Sequence, residues 1–292
     1  MDQRTHVDPT YILGSSEAET HRLQVQADLY GSVTRRFLED AGIVAGMKVL
    51  DVGSGAGDVA FLAADLVGPT GAVVGVDVDP TVLATARTRA ERERRDNVVF
   101  VEGDYTSVAL DTDFDAVIGR FVLTHARDAS AALRTLVGRV RPGGVVAFAE
   151  AEITPGLGYV QAGPSALFRS VWEWSRELFR RAGLDGSMAP VLCRAFMEAG
   201  LGAPHLFMHA PMGCGAEWPG YEMDAELMRS IVPVLEKFGI ATAAEVDAET
   251  LAARYRAEVV RTNFPFMLLP VVTAWAHKPA GSPAGSSTRA AG

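Results

Sequence analysis

The sequence is poor in cysteine and lysine. Its two cysteines, Cys193 and Cys214, are too few for a disulfide framework and form no Cys-x-x-Cys pair. With three lysines and a net charge of −9, the chain has little of the basic surface that binding to a phosphate backbone requires. We therefore expect a reduced protein that does not bind nucleic acid.

The sequence also shows neither an export signal nor a membrane span. No signal peptide opens the sequence, and no apolar run reaches the roughly 18 residues typical of a membrane helix. These absences predict a cytoplasmic protein without membrane contact. His205 and His209 lie near Cys214 and would allow a metal site, but prolines bracket a strand-like alternation there, which favours packing. We expect no metal ion.

A glycine-rich segment follows a short apolar run at residues 48–57, which read KVLDVGSGAG. The apolar residues predict a buried strand. Gly53, Gly55 and Gly57 permit a tight turn whose backbone can approach a ligand closely. A strand that leads through such a turn into a helix is typical of nucleotide-type sites.

Asp58 narrows the choice of ligand. A dinucleotide fingerprint carries a third glycine at this position, and its helix N-terminus receives a pyrophosphate. A carboxylate there would repel a pyrophosphate, which argues against an oxidoreductase that uses the same sheet. No Gly-Lys-Ser/Thr follows the glycines, so a Walker-type phosphate loop is also excluded.

The pattern Asp51-x-Gly53-x-Gly55-x-Gly57 resembles motif I of the class I S-adenosylmethionine (SAM) methyltransferases, and later segments agree in order. The resemblance implies that Asp77 holds the ribose hydroxyls and that Asp104 meets the adenine amino group. Taken alone, Asp77 could be a helix cap and Asp104 a turn residue. The cofactor-binding candidates in this part of the chain are Asp51, Gly53, Ser54, Gly55, Asp77, Val78, Gly103, Asp104, Tyr105, Arg120 and Phe121.

Strand and helix patterns alternate along the middle of the chain. They predict strands near 47–52, 72–77, 98–102, 114–119 and 144–150, which indicates a parallel sheet with helices on both faces. The resemblance implies a doubly wound, seven-stranded Rossmann-like sheet, mostly parallel, whose last strand (270–277) is antiparallel. Further helices are expected at 15–41, 164–183, 187–200, 221–239, with a kink or break at Pro233, and 243–263, and a further strand at 204–212.

The expected organisation is a helical N-terminal cap at 1–45, a methyltransferase domain at 46–278 and a disordered tail at 279–292. Inserts near 153–184 and 213–267 leave the carboxyl edge of the sheet, where open α/β sheets bind ligands. We expect these inserts to shape a substrate pocket, although aromatic residues on helical stripes more often belong to the core. The candidates for the pocket lining are Tyr159, Trp172, Trp174, Trp218 and Tyr221.

The N-terminal segment is similar to the opening of a bacterial subgroup of small-molecule methyltransferases, some of which act in natural-product pathways. The similarity is carried by Tyr11, Gly14, Arg22 and Gln26. It implies that Arg22 pairs with the carboxylate of SAM and that Gln26 or Tyr11 hydrogen-bonds it. The alternative for Arg22 is a surface arginine on an amphipathic helix.

The segment after the fourth strand bears on the reaction. His125 lies where a substrate would approach the methyl group and is the candidate catalytic base, with packing or hydrogen bonding as its alternative. The segment lacks the Asn/Asp-Pro-Pro-aromatic motif of amino-methylating nucleic-acid enzymes and the carboxylates of metal-assisted catechol enzymes. We expect in-line methyl transfer, without a metal, to a small apolar or aromatic metabolite, for example a heteroaromatic such as indole. We also expect a homodimer, because the helical inserts could bury apolar surface against a second copy. A SAM-binding protein that catalyses a rearrangement or regulates a partner is the alternative.

Overall fold

The computed structural model describes residues 17–153 and 166–280, with side chains from residue 29 onward. Nine strands are found in this part of the chain: β1 (Lys48–Val52), β2 (Ala72–Asp77), β3 (Val98–Glu102), β4 (Phe114–Arg120), β5 (Val140–Ala151), β6 (His205–His209), β7 (Met212–Gly213), β8 (Phe266–Met267) and β9 (Val271–His277). The α-helices are α1 (Glu17–Asp40), α2 (Asp58–Val67), α3 (Pro80–Arg92), α4 (Ala129–Val137), α5 (Ala166–Ala182), α6 (Met188–Glu198), α7 (Gly220–Lys237), α8 (Ala243–Val246) and α9 (Ala248–Thr262).

Seven strands form one sheet in the order β3-β2-β1-β4-β5-β9-β6. The first five strands in chain order pair in parallel, and β9 is antiparallel to both β5 and β6. The predicted doubly wound, mostly parallel sheet with an antiparallel last strand is therefore confirmed. The strand order reverses next to β1, between β2 and β4, and ligands bind at the carboxyl ends of the strands at such a point.

The strands have a core on each face of the sheet, because successive side chains of a strand point to opposite faces. Val49 of β1 packs in the cluster that contains side chains of α1, α2 and α3. Leu50 and Val52 pack in the second cluster, with side chains of α4 and α6. Burial on both faces explains why these strands are runs of apolar residues rather than alternating ones.

Two helical segments differ from the prediction. Helix α7 is continuous through Pro233, so of the expected kink or break at this residue the break is wrong. A proline inside a helix costs about 3 kcal/mol, which the burial of Met228, Ile231 and Leu235 on the same helix can offset. The single helix expected at 243–263 is divided at Asp247, whose backbone is left-handed with φ 46° and which ends α8 and begins α9.

A short antiparallel pair of strands lies at the ends of the second insert, the one expected near 213–267. Strands β7 and β8 pair as a separate two-stranded sheet, with Met212 opposite Met267 and Gly213 opposite Phe266. Helices α7, α8 and α9 lie between these strands in the chain, and α7 packs on both α1 and α9. This ladder joins the chain on either side of these helices, and the insert boundaries near 213 and 267 stay a prediction. The division into a cap, a main domain and a tail stays a prediction, and most of the tail lies outside the described residues.

Candidate functional site at the carboxyl edge of the sheet

The glycine loop joins β1 to α2 in a conformation that needs glycine. Gly53, Gly55 and Gly57 all have positive φ values, of 64°, 51° and 90°. A Cβ on Gly53 would lie 2.7 Å from a methyl carbon of Val122, so the loop also approaches the segment after β4. The predicted turn is therefore present at the point where the strand order reverses.

Asp51 and Ser54 place polar atoms in this loop that the described residues leave unsatisfied. The Asp51 side chain is 1% exposed, and neither of its carboxylate oxygens has a partner of ordinary hydrogen-bond geometry within the described part of the chain, although the backbone N–H of Ala60 acts on the carboxylate. The buried hydroxyl of Ser54 is in the same situation. Burial raises the pKa of Asp51 to about 8, although the charge of Arg120 counters this rise. Buried polar groups are nearly always hydrogen-bonded, so these atoms are suited to a ligand that donates hydrogen bonds.

Asp77 at the end of β2 connects two parts of the edge. One of its carboxylate oxygens accepts a hydrogen bond from the backbone N–H of Gly55 at 2.9 Å, and the other accepts from that of Asp79 at 3.0 Å. Burial raises its pKa, while these hydrogen bonds oppose the rise. The neighbouring Val78 is 46% exposed and presents an apolar surface beside the carboxylate. A polar acceptor next to an apolar surface is suited to a nucleoside.

Asp58 is paired in the structure. Its carboxylate lies 2.7 Å from the guanidinium of Arg89, and the two side chains are 6% and 18% exposed. The same guanidinium donates to the backbone carbonyl of Ala56. The repulsion that was expected to exclude a pyrophosphate is therefore largely neutralised, because the charge of Asp58 has a close partner. The charge of Asp58 is therefore a weaker argument against a pyrophosphate ligand than the sequence indicates.

The turn after β3 carries the next candidates. Gly103 has φ 154°, and a Cβ there would lie 2.8 Å from Val108. Asp104 is exposed, and one of its oxygens accepts hydrogen bonds from the backbone N–H and hydroxyl of Thr106 at 2.8 and 2.7 Å. Asp104 thus acts as a turn residue, and its second oxygen accepts no hydrogen bond from the described residues. Burial raises the pKa of the half-buried Tyr105 to about 12.

The segment after β4 is strained at Phe121. This residue has φ 60°, which is uncommon for a bulky side chain and frequent at functional sites. Its ring meets Tyr30 of α1 edge-on, with centroids 5.9 Å apart. The preceding Arg120 donates to the hydroxyl of Thr34, also on α1. His125 is half-buried at the end of the 3₁₀ turn Leu123–His125. The structure thus places Arg120, Phe121 and His125 at the same edge as Asp51.

Glu150 is a site-forming residue that the sequence reasoning missed. This fully buried carboxylate at the end of β5 accepts hydrogen bonds from the backbone N–H groups of Val122, Leu123 and Thr124 at 3.2, 3.0 and 3.0 Å. It also accepts from the Thr124 hydroxyl at 2.7 Å. Burial raises its pKa to about 7 against these hydrogen bonds. Its position at the carboxyl end of a predicted strand was the signal that could have identified it.

The candidates for the substrate pocket are only partly brought together. Trp172 and Trp218 are half-buried, and Trp218 meets Tyr221 edge-on at 5.3 Å. Tyr221 is 0% exposed and its hydroxyl donates to the backbone carbonyl of Gly215, so it belongs to the core rather than lining a pocket. Trp174 also packs against the core.

Four of the candidates fall where the structure describes no side chain. Tyr11 and Tyr159 lie outside the described residues. Arg22 and Gln26 lie on the backbone of α1, in the part where side chains are not described. These candidates stay predictions.

The described residues contain neither a candidate metal cluster nor a helix that could span a membrane. Within residues 17–153 and 166–280, no group of three or more histidine, cysteine, aspartate or glutamate side chains could hold a metal ion. In the same ranges, no helix combines the length and apolar character needed to cross a membrane.

The fold and the edge together define a Rossmann-like α/β protein with a nucleoside-type site. The methyltransferase domain family matches residues 43–176. The ubiquinone/menaquinone biosynthesis C-methyltransferase UbiE of Ectopseudomonas oleovorans is 30% identical over 167 residues, which cover 49% of this chain and 98% of that protein. The chain belongs to the class I SAM-dependent methyltransferase family.

Other relatives are longer than the matched region. For UbiE of Pseudomonas putida the identity is 30% over 167 residues, and the chain spans 65% of the length of that relative. The arsenite methyltransferase of Halobacterium salinarum is 35% identical over 129 residues, which cover 44% of this chain and 33% of that protein.

Solved structures share the fold at low sequence identity. The Haemonchus contortus phosphoethanolamine N-methyltransferase 2, in complex with phosphomonomethylethanolamine and S-adenosylhomocysteine (SAH), has a TM-score of 0.57 at 17% identity and covers 94% of this chain and 61% of that one. The [4+2]-cyclase SpnF has a TM-score of 0.52 at 19% identity and covers 86% and 81%. At these identities the likeness concerns the fold alone.

Proposed function

We propose that the protein transfers a methyl group from SAM to a small, partly apolar or aromatic metabolite by in-line displacement. The observation that carries this proposal is the pair of buried, unsatisfied groups in the glycine loop, the Asp51 carboxylate and the Ser54 hydroxyl. SAM offers hydrogen-bond donors and a positive charge, which are what these acceptors lack. The family to which the chain belongs supports the same cofactor.

Different residues of the edge would hold different parts of the cofactor. Asp77 and Val78 would receive the ribose and one face of the adenine, and the free oxygen of Asp104 would accept from the adenine amino group. Asp51 and the glycine loop would hold the methionine end. When bound, SAM supplies a methyl group on a sulfonium, a good leaving group, so the protein mainly has to align the acceptor and exclude water.

Calorimetry with SAM, SAH and NAD tests the cofactor. We expect micromolar affinity for SAM or SAH in the wild type, loss of this affinity in Asp77→Ala, and a smaller loss in Asp77→Asn, which keeps one acceptor oxygen. Asp96→Ala is the matched control, because Asp96 is an exposed carboxylate away from the edge. Tight binding of NAD together with no binding of SAM or SAH would overturn the proposal.

A second candidate function also uses SAM but transfers no methyl group. SpnF, a [4+2]-cyclase, has the same fold, so the fold itself does not require methyl transfer. Incubation with methyl-labelled SAM and a metabolite extract separates the two functions. Label in a small molecule supports methyl transfer, and SAM binding without label in any product over many extracts favours a rearrangement catalyst or a regulator.

A further inference from the structure

A buried carboxylate lies beneath residues 120–124, the post-β4 segment. Glu150 is 0% exposed, and its oxygens accept hydrogen bonds from the backbone N–H groups of Val122, Leu123 and Thr124 and from the Thr124 hydroxyl. The Thr124 oxygen in turn accepts from the backbone N–H of Ala151 at 3.3 Å. The four groups all donate to Glu150, so the ionised carboxylate fits this set of partners.

The backbone at Phe121 and Val122 has the shape that these hydrogen bonds require. Phe121 is left-handed with φ 60°, and Val122 is right-handed with φ −108° and ψ −56°. Two residues of opposite hand turn successive N–H groups towards one side and form a concave site for an anion. The Glu150 carboxylate occupies this site. It therefore explains why a bulky residue keeps a strained, positive φ at this point of the chain.

The post-β4 segment lies directly against the glycine loop. A Cβ on Gly53 would be 2.7 Å from a methyl carbon of Val122, which is closer than packed atoms allow. Gly53 belongs to the loop that also carries Ser54, and Asp51 precedes it in β1. Because interiors are closely packed, a displacement of Val122 would change the position of this loop.

The same segment contacts the N-terminal helix. The ring of Phe121 meets Tyr30 of α1 edge-on at 5.9 Å, and Arg120 donates to the hydroxyl of Thr34 on α1 at 3.0 Å. The post-β4 segment thus joins α1 to the glycine loop, and Glu150 fixes the backbone of the segment from below.

We propose that Glu150 is a positioning residue of the cofactor site. Its carboxylate keeps the post-β4 segment in the conformation that packs against the glycine loop, and it acts on the affinity for SAM and SAH without touching either ligand. The observed affinity falls in proportion to the fraction of molecules in the competent conformation, so a less firmly held segment binds the cofactor more weakly. This inference rests on the proposed function.

Calorimetric titration with SAH at pH 8 measures this role. Burial raises the pKa of Glu150 to about 7, so the carboxyl is mostly ionised at pH 8. We expect Glu150→Gln to bind SAH about tenfold more weakly than the wild type, because an amide cannot accept from all four donors and one hydrogen bond to a charged group is of this size. Circular dichroism checks that each variant is folded during the titration.

Glu152 provides the matched control. It is 2% exposed, and one of its oxygens accepts from the backbone N–H groups of Met188 and Ala189 at the start of α6, at 2.9 and 3.4 Å. Glu152→Gln therefore makes the same substitution at a buried acid whose hydrogen bonds hold another element. We expect it to lower stability and to leave the SAH affinity of the folded protein unchanged.

Thr124 offers a second pair of variants, which leaves the Glu150 carboxylate in place. Thr124→Val removes the hydroxyl with little change in shape, whereas Thr124→Ser keeps it. We expect Thr124→Val to bind SAH about fivefold more weakly and Thr124→Ser to bind it as the wild type does. Because both residues belong to one hydrogen-bond set, the double variant of Glu150→Gln and Thr124→Val should lose less than the product of the two single losses.

Each contrary result has a distinct meaning. A wild type that binds neither SAM nor SAH defeats the proposed function itself. With SAH binding intact in the wild type, an unchanged affinity in both Glu150→Gln and Thr124→Val overturns the role of Glu150. Equal losses in Glu150→Gln and Glu152→Gln also overturn it, because any buried acid near the end of β5 would then have the same effect. If Glu150→Gln does not fold, the comparison of Thr124→Val with Thr124→Ser decides: equal affinities overturn the proposal.

Discussion

Replacing Glu150 with glutamine changes the charge beneath the catalytic edge and leaves the shape of the side chain almost unchanged. One oxygen of Glu150 serves the N–H groups of Val122 and Leu123, and the other serves the N–H and hydroxyl of Thr124. In Glu150→Gln the amide oxygen can keep the first pair. The amide nitrogen would face the Thr124 N–H, whose loss of a partner costs about 1–3 kcal/mol.

The pH dependence of this cost follows from the pKa of Glu150. Burial raises it from 4.5 to about 7, so the folded state binds the proton more tightly than the unfolded state. The contribution of this group to stability is fully present below about pH 4.5 and declines as the pH rises towards 7. At 1.36 kcal/mol per pKa unit, wild type loses about 2 kcal/mol from Glu150 between about pH 5.5 and about pH 8. Glutamine does not titrate and has no such loss.

Urea unfolding of both proteins at these two pH values measures the difference directly, because the other titrating groups are shared. We expect Glu150→Gln to be less stable than wild type at the lower pH and the gap to narrow by about 2 kcal/mol at the higher pH. Glu217→Gln, the same substitution at an exposed residue, is the control. If the gap widens with pH, the four hydrogen bonds outweigh burial and the reasoning on Glu150 is refuted.

Three further changes test the loop and its acids. Gly57→Ala should lower the thermal unfolding temperature more than Gly239→Ala, because both positions have positive φ but only the first would place a Cβ 2.9 Å from aromatic rings; equal losses would contradict this. Arg89→Ala should cost about 3–5 kcal/mol in urea unfolding, because it leaves the charge of Asp58 buried and unpaired, and a change below about 1 kcal/mol would show that the pair matters little. Asp51→Asn should gain stability above about pH 8, where the wild-type carboxyl is ionised at a cost, while calorimetry shows weaker binding of SAH; a stability loss there would contradict the raised pKa.

The sheet could be predicted from the sequence because its strands are buried on both faces. Strand β1, for instance, carries Val49, Leu50 and Val52, which point to both faces of the sheet and are all buried, so its apolar residues do not alternate as in a surface strand. The position of the site could also be predicted, because a turn with three positive φ values needs the glycines that follow β1. Both features depend on residues that are close together in the sequence.

Contacts between distant segments escaped the sequence reasoning. Asp58 is paired by Arg89, which lies 31 residues away, and Glu150 holds a segment more than 20 residues before it. The continuity of α7 through Pro233 likewise depends on packing against other helices, which local propensity does not contain. The two-stranded ladder β7–β8 is too short to leave a pattern at all.

Pairing separates the acids that maintain the scaffold from those that serve the site. Asp58 is buried and has an arginine partner, so the protein itself compensates its charge. Asp51 is also desolvated, and the charge of Arg120 offsets this cost only in part, so burial still raises its pKa to about 8. A carboxylate that is left in this state lowers the stability of the ligand-free protein at neutral pH. Because a donor or cation that arrives with a ligand removes this cost, the binding of a ligand at the edge is coupled to the stability of the fold.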